Sequence, residues 1–414
     1  MSFLVTGGSP LCGSVALHGA KNAALPILFA SLLCHEPLLL RHVPDIGDVT
    51  VTLRLLGELG CVVTSTAEGL SLDPRGAKAP SIPMREAEKI RASSYLLGAS
   101  LARFGEGVIP LPGGCALGVR PLNLHRFVFE GLGATVEEGE GQMRVTAKKL
   151  RPACIRLPFP SVGATVNFLL TAMGAEGESR LYGYAAEPHV MDTVGFLNAM
   201  GGCVTIKGEC LTVVGGRPLH GGDYTVISDA MEAGTYLLAA ASAGGDVTVF
   251  PLLSGELSSL TAPLSRMGFE VNEKEGSLRL RSRGASRYKA TDLVAAPYPA
   301  FPSDLHPPFA ALLCGGRGRG SITDTVWRER FLYTEELKKM GARITRQENR
   351  ISILGAPLHG AEMWAPDIRG GAALLVAALG ATGSSLIHGE QIIQRGYEKV
   401  AQTLRTLGAS VWEI

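Results

Sequence analysis

Leu337-Lys338-Lys339-Met340-Gly341-Ala342-Arg343-Ile344-Thr345-Arg346 is the stretch whose reading decides the fold. Two lysines fall where the last turn of a helix exposes its carbonyl end, and cations are favoured there. Gly341 then takes the left-handed position that closes a helix, which costs glycine least. Ala342 to Arg346 alternates apolar and polar, as a half-buried strand does. A polar turn, Gln347-Glu348-Asn349, precedes Ile351-Ser352-Ile353-Leu354, so the stretch reads as helix, glycine stop and β-hairpin.

The same phrase recurs along the whole chain. It appears as Leu59-Gly60, Leu132-Gly133, Met200-Gly201, Met267-Gly268, Met340-Gly341 and Leu407-Gly408, at intervals of 73, 68, 67, 73 and 67 residues. A fixed period of this kind marks a repeated supersecondary unit. Upstream of each phrase lies an Ala/Leu-rich, small-residue helix: Lys21–Leu33, Arg91–Arg103, Gly163–Gly174, Glu232–Ala243, Ser303–Leu313 and Arg369–Leu379. Being apolar on nearly every side, each is expected to be buried. Every unit therefore reads as strand, buried helix, strand, outer helix and a strand pair, a βαβαββ-like order. An open stack would need polar end units. The terminal units are not of that kind, so the expectation is an α/β fold with six pseudo-repeats closed into two three-unit domains.

Composition agrees. The 414 residues carry 39 Lys+Arg against 38 Asp+Glu, a formal charge of +1, which argues against a dedicated nucleic-acid binder. Length alone suggests two to four domains. A hydrophobic content of 46% excludes a mainly disordered chain, and 52 glycines suit tight turns and close-packed helices. The first residues lack a basic leader, and the apolar run from Ala23 to Leu40 is broken by His35-Glu36-Pro37, so no membrane insertion is expected. The eight cysteines form no CxxC pair and the nine histidines show no ligand spacing. The expectation is a cytoplasmic protein with free thiols and neither metal nor cofactor.

The starts of the buried helices carry the candidate chemistry. Helix N-termini present free N–H groups and partial positive charge. Several such starts facing one cleft, with Lys21, Arg91 and Arg369 at their mouths, would bind an anion; ordinary solvated caps are the alternative. Lys21-Asn22 after Gly19-Ala20 is one such start. In Leu111-Pro112-Gly113-Gly114-Cys115-Ala116-Leu117-Gly118-Val119-Arg120-Pro121, glycines on both sides of Cys115 make a flexible loop. A nearby Arg120 would favour its thiolate, although a surface cysteine without a role fits the spacing equally well. The other seven cysteines read as packing residues. Asp304, after Phe301-Pro302-Ser303, is either an N-cap or a general base. Arg395, in Arg395-Gly396-Tyr397-Glu398, is either a structural pair or a phosphate clamp.

Taken together, these motifs resemble those of the enolpyruvyl transferases, and above all the UDP-N-acetylglucosamine 1-carboxyvinyltransferase family of peptidoglycan synthesis. The matching stretches are Gly19–Leu28, Ile90–Ser93, Leu111–Pro121, Ser161–Thr165, Ala296–Asp304, Ile322–Thr325 with Arg330-Phe331, Asp367–Arg369 and Arg395–Glu398. The resemblance implies two inside-out α/β barrels, each of three repeated units. Residues 1–20 with 229–414 would form one barrel and 21–228 the other, the latter carrying the Cys115 loop, with the active site in the cleft between them. It implies transfer of the enolpyruvyl group of phosphoenolpyruvate to the 3-hydroxyl of UDP-N-acetylglucosamine, with release of phosphate.

The resemblance also assigns roles. Asp304 matches the carboxylate near the acceptor hydroxyl. Cys115 matches the loop cysteine implicated as acid, in product release and in covalent adducts. Lys21, Arg91, Arg120 and Arg395 match cations that hold phosphate and carboxylate, and Arg369 a cation beside the cleft. Asn22 matches a sugar contact. Ser161, Val162 and Gly163 match contacts to the nucleotide diphosphate. Pro121, Leu122, Asn123 and Leu124 fall on the uridine side, and Val326 is a further substrate contact. Four positions depart from the family pattern: Ala230 replaces an arginine, His189 an acid, Asn123 an aspartate, and Gln394 an acid beside Arg395. The donor side is thus better kept than the acceptor side. That leaves room for a transferase acting on another acceptor, or for a non-catalytic binding relative.

Overall fold

The computed structural model describes residues 1–80, 84–111, 121–284 and 288–414. The hairpin predicted from the opening stretch is present: strands Arg343–Gln347 and Arg350–Leu354 run antiparallel, with Gln347 opposite Arg350. Gly60, Gly133, Gly201, Gly268, Gly341 and Gly408 all have φ between 88° and 99°. Any other residue would be strained there, so the recurring phrase is a recurring backbone conformation.

The helices expected to be buried are α1 (Lys21–Ala30), α2 (Ser94–Phe104), α3 (Val162–Met173), α4 (Ala230–Ala243), α5 (His306–Cys314) and α6 (Ile368–Gly380). In α6 every residue from Arg369 to Leu379 is buried. Small residues permit this close approach: a Cβ on Gly380 would lie 2.1 Å from the Ser242 hydroxyl of α4. Truncating Leu374 in this core would cost about 2–5 kcal/mol. Two starts lie three residues from the reading. Arg91–Ser93 forms a 3-10 turn before α2, and α5 begins at His306 rather than Ser303. Pro307 and Pro308 occupy the first turn of α5, where a missing N–H costs nothing.

The described chain divides into two compact units. One consists of Met1–His18 and Ser228–Ile414; the other runs from Gly19 to Ile227. The sequence reading placed the crossings near residues 20 and 229. In the first unit, α4, α5 and α6 pack on one another inside three four-stranded sheets. The sheet beside α5 shows the plan: Asp292–Ala295 is parallel to Arg319–Asp324, which is antiparallel to Arg350–Leu354. The other two sheets borrow strands from the start of the chain. Leu11–Ala16 joins Gly245–Phe250, and Ser2–Thr6 lies between Ser384–His388 and Ser410–Glu413.

The second unit gathers α1, α2 and α3 within two four-stranded sheets and one sheet of three described strands. Its opening repeat is completed by Asp223–Thr225, parallel to Leu38–Arg41. Helices inside and sheets outside, three units to a barrel, give an α/β fold of two inside-out barrels. Among the described residues no helix is long and apolar enough to cross a membrane. Four of the cysteines read as packing residues do not lie in the core: Cys12 and Cys154 are exposed, and Cys203 and Cys210 half-buried. Cys12, Cys154 and Cys210 stand on strands that leave one face to water. Cys34, Cys61 and Cys314 are buried, and burial pushes their thiols up to about 12, 11 and 12.

Candidate active site

In the first unit the site residues converge on Asp304. The turn Pro302–Leu305 is closed by a hydrogen bond from the Leu305 N–H to the Pro302 carbonyl, 3.0 Å. It leaves Asp304 two residues ahead of α5, so Asp304 is not the N-cap that one reading of the sequence allowed. Its carboxylate instead takes Nη1 of Arg330 at 2.7 Å and Nε of Arg369 at 3.2 Å. Both guanidiniums are buried, with 5% and 3% of their side chains exposed, whereas Asp304 keeps 27%. A carboxylate held by two fixed cations, with part of its surface open, is built to meet a polar ligand.

Arg369 is stabilised from several sides. Burial works against its charge, but Tyr397, Asp304 and Asp229 outweigh it and raise its pKa, so it stays protonated. Its guanidinium lies 5.0 Å from the centre of the Tyr397 ring, a cation–π distance. The Tyr397 hydroxyl meets Thr235 of α4 at 2.8 Å. That contact anchors the Arg395–Glu398 stretch, in which Arg395 is half-buried. Among the described residues, Nε of Arg330 and Nη1 of Arg369 are buried without a hydrogen-bond partner. Leaving such donors unpaired costs about 1–3 kcal/mol each.

The helix starts do not behave alike. Asp229 caps α4, accepting from the Met231 and Glu232 N–H groups, and Asp367 caps α6, accepting from those of Arg369 and Gly370. Those N–H groups are already occupied by carboxylates. The expectation that several helix starts together form an anion mouth is therefore corrected at α4 and α6: at α6 the Arg369 side chain, not the backbone, offers positive charge, and the start of α4, Asp229 to Glu232, carries no cation. Val326, beside this region, gives its N–H to Asp324 at 2.8 Å.

In the second unit Lys21 opens α1, with Ala20 before it providing no side-chain cap. Lys21 is buried, and its ammonium pairs with Asp48 of the helix Gly47–Glu58 at 2.8 Å. Asn22 beside it is half-buried, as is Arg91. At α3, Ser161 caps the helix by accepting from the Ala164 N–H, and Ser161, Val162 and Gly163 are all half-buried. Gly163 must be glycine, because a Cβ there would lie 2.6 Å from the His125 ring. His125 follows Pro121 to Leu124; of these Pro121 and Asn123 are exposed, Leu122 buried and Leu124 half-buried. Burial, aided by Arg91, pushes the His125 imidazole down to about 3, so it is neutral. It accepts at Nδ1 from the Asn167 amide, 2.8 Å away. Cys115 and Arg120 lie outside the described residues.

The family model for EPSP synthase (3-phosphoshikimate 1-carboxyvinyltransferase) matches residues 5–404. A UDP-N-acetylglucosamine 1-carboxyvinyltransferase of Caldanaerobacter subterraneus is 42% identical, covering 100% of this chain and 99% of its own. The chain belongs to the UDP-N-acetylglucosamine 1-carboxyvinyltransferase family of enolpyruvyl transferases. A second member, from Clostridium botulinum, is 41% identical over 98% of both chains. Among solved structures, the enolpyruvyl transferase NikO of Streptomyces tendae superposes with a TM-score of 0.90 at 24% identity, covering 99% of this chain and 98% of its own. EPSP synthase of Acinetobacter baumannii gives 0.75 at 20% identity over the full length of both. These two likenesses concern the fold. For an enolpyruvyl transferase, the sequence reading missed two residues of the first unit: Arg330, the closer partner of Asp304, and Asp324. Both stood inside quoted motifs, in Arg330-Phe331 and Ile322–Thr325, yet nothing local said which way they faced.

Proposed function

We propose that this enolpyruvyl transferase moves the enolpyruvyl group of phosphoenolpyruvate to the 3-hydroxyl of UDP-N-acetylglucosamine and releases phosphate. The observation that carries the reading is Asp304, partly open and held between two buried arginines that each keep a donor unpaired among the described residues. The carboxylate is the base for the acceptor hydroxyl. Fixed cations beside it suit a donor whose carboxylate and phosphate are both anionic, and such preorganised charge is the largest contribution to many transfers. Lys21, Arg91, Arg120 and Arg395 are the cations assigned to the donor. Asn22, Arg369, Val326, Pro121 to Leu124 and Ser161 to Gly163 are assigned to the substrates. Cys115 is assigned as acid. The reaction would be the first committed step of peptidoglycan synthesis, in the cytoplasm.

Phosphate release from phosphoenolpyruvate, with and without UDP-N-acetylglucosamine, tests this. Release that depends on the sugar nucleotide supports the reading, and release with another acceptor instead overturns it. Cys115→Asp should keep transfer activity but resist alkylation by the epoxide fosfomycin. Alkylation of the variant at another cysteine would remove Cys115 from that assignment.

A further inference from the structure

Beneath Asp304 lies a second carboxylate that touches no solvent. Asp324 is fully buried at the end of the strand Arg319–Asp324. One oxygen, Oδ1, accepts from the N–H groups of Val326 and Trp327 at 2.8 and 2.9 Å. The other, Oδ2, accepts from the Ser303 hydroxyl at 2.5 Å. His306 Nε2 stands 3.2 Å from the same oxygen, off the line of a good hydrogen bond, and its other nitrogen meets the Tyr333 hydroxyl at 3.3 Å.

Ser303 is the pivot. A hydroxyl has one proton to give and two lone pairs to offer. An ionised carboxylate can only accept, so Asp324 takes that proton and leaves the Ser303 lone pairs facing Arg330. Nη1 of Arg330 then donates both to Ser303, at 3.2 Å, and to Asp304, at 2.7 Å. If Asp324 could donate instead, the Ser303 hydroxyl would be released to turn toward Asp304 and compete with Arg330. We infer that Asp324 is a positioning residue: through Ser303 and Arg330 it fixes the Asp304 carboxylate, and through two backbone N–H groups it fixes the Val326 turn. One buried carboxylate thereby sets the base and a substrate contact together. The inference rests on the role proposed above for Asp304.

Two variants test it, each studied by kinetics and by crystal structure. Ser303→Ala removes the pivot with little change in volume. It should lower kcat about 10-fold while leaving KM for both substrates within about 2-fold, as loss of a supporting hydrogen bond does. Asp324→Asn keeps the shape but supplies an amide donor. It should lower kcat about 10- to 100-fold and also raise KM for UDP-N-acetylglucosamine, because a neutral amide oxygen holds the Val326 and Trp327 N–H groups less strongly than a carboxylate does. In both crystal structures the Asp304 carboxylate should leave its place between Arg330 and Arg369. Wild-type kcat in either variant, or an unmoved Asp304 in both structures, would overturn the inference. If the unaltered protein releases no phosphate with UDP-N-acetylglucosamine, the functional reading fails, and the position of Asp304 in the two structures still decides the positioning role.

Discussion

The starts of α1 and α6 hold equivalent places in two repeats, and each buries a cation. At α1, Lys21 meets Asp48 in a short pair whose partner comes from the outer helix. At α6, Arg369 shares Asp304 with Arg330, stacks near Tyr397 and follows a capped helix start. Lysine suits the first place as a compact charge with rotatable donors. Arginine suits the second because its planar fork serves several partners at once. The same repeat thus places a lysine against a carboxylate of the outer helix in one unit and an arginine in a network in the other, and the network surrounds the proposed base.

Removing Asp304 should separate the two most sharply. Asp304→Ala should lower turnover by two or more orders of magnitude and leave two buried guanidiniums without their carboxylate, costing about 2–3 kcal/mol in urea unfolding. Near-normal turnover would take Asp304 out of the mechanism. The matching change at the other start, Asp48→Asn, should cost about 2 kcal/mol, since it removes the carboxylate charge 2.8 Å from the buried Lys21 ammonium. Unchanged unfolding would mean that Lys21 gains nothing from the pair.

Two histidines extend the contrast to pH. Burial first, then Arg91, holds His125 in the second unit well below its ordinary value. The unfolded chain therefore binds the proton that the folded chain refuses. Stability should fall as pH drops below about 6.5, by about 2 kcal/mol at pH 5. His125→Gln should flatten that limb of an unfolding profile; an unaltered slope would assign the acid sensitivity elsewhere. In the first unit, the hydrogen bond that His18 donates to Glu232 outweighs burial and raises His18, with Glu398 assisting. This contribution is fully present below about pH 6.5 and is lost as pH rises through the raised value. It should be worth less than about 1 kcal/mol at this partly exposed site. His18→Gln should remove the slope above neutrality, and a persistent slope there would break the assignment.

Much of the architecture was legible because it is local. A small-residue helix, a glycine with positive φ and an alternating strand each announce themselves within a dozen residues. What could not be read was strand exchange. Nothing in Ser2–Thr6 names Ser384–His388 as its neighbour, and nothing in Asp223–Thr225 names Leu38–Arg41. The site divided the same way. Lys21 and Arg369 stand at helix starts and Asp304 just ahead of one, where sequence draws attention to them. Arg330 and Asp324 matter through contacts with residues 26 and 21 positions away, which only folding supplies. The starts of α4 and α6 stay open in sequence between cap and anion mouth for a related reason: a carboxylate beside a helix looks the same whether it caps the backbone or leaves it open.

The pairing of Ser2–Thr6 with Ser384–His388 and Ser410–Glu413 also sets an order of events during synthesis. Gly19–Ile227 leaves the ribosome as one continuous stretch and can close its core while later residues are still being added, as domains generally do. The strands Ser2–Thr6 and Leu11–Ala16 precede this stretch, yet their partners Ser384–His388, Ser410–Glu413 and Gly245–Phe250 all follow it. Until then their backbone edges wait without a sheet, which makes these two strands a part of the nascent chain that needs protection.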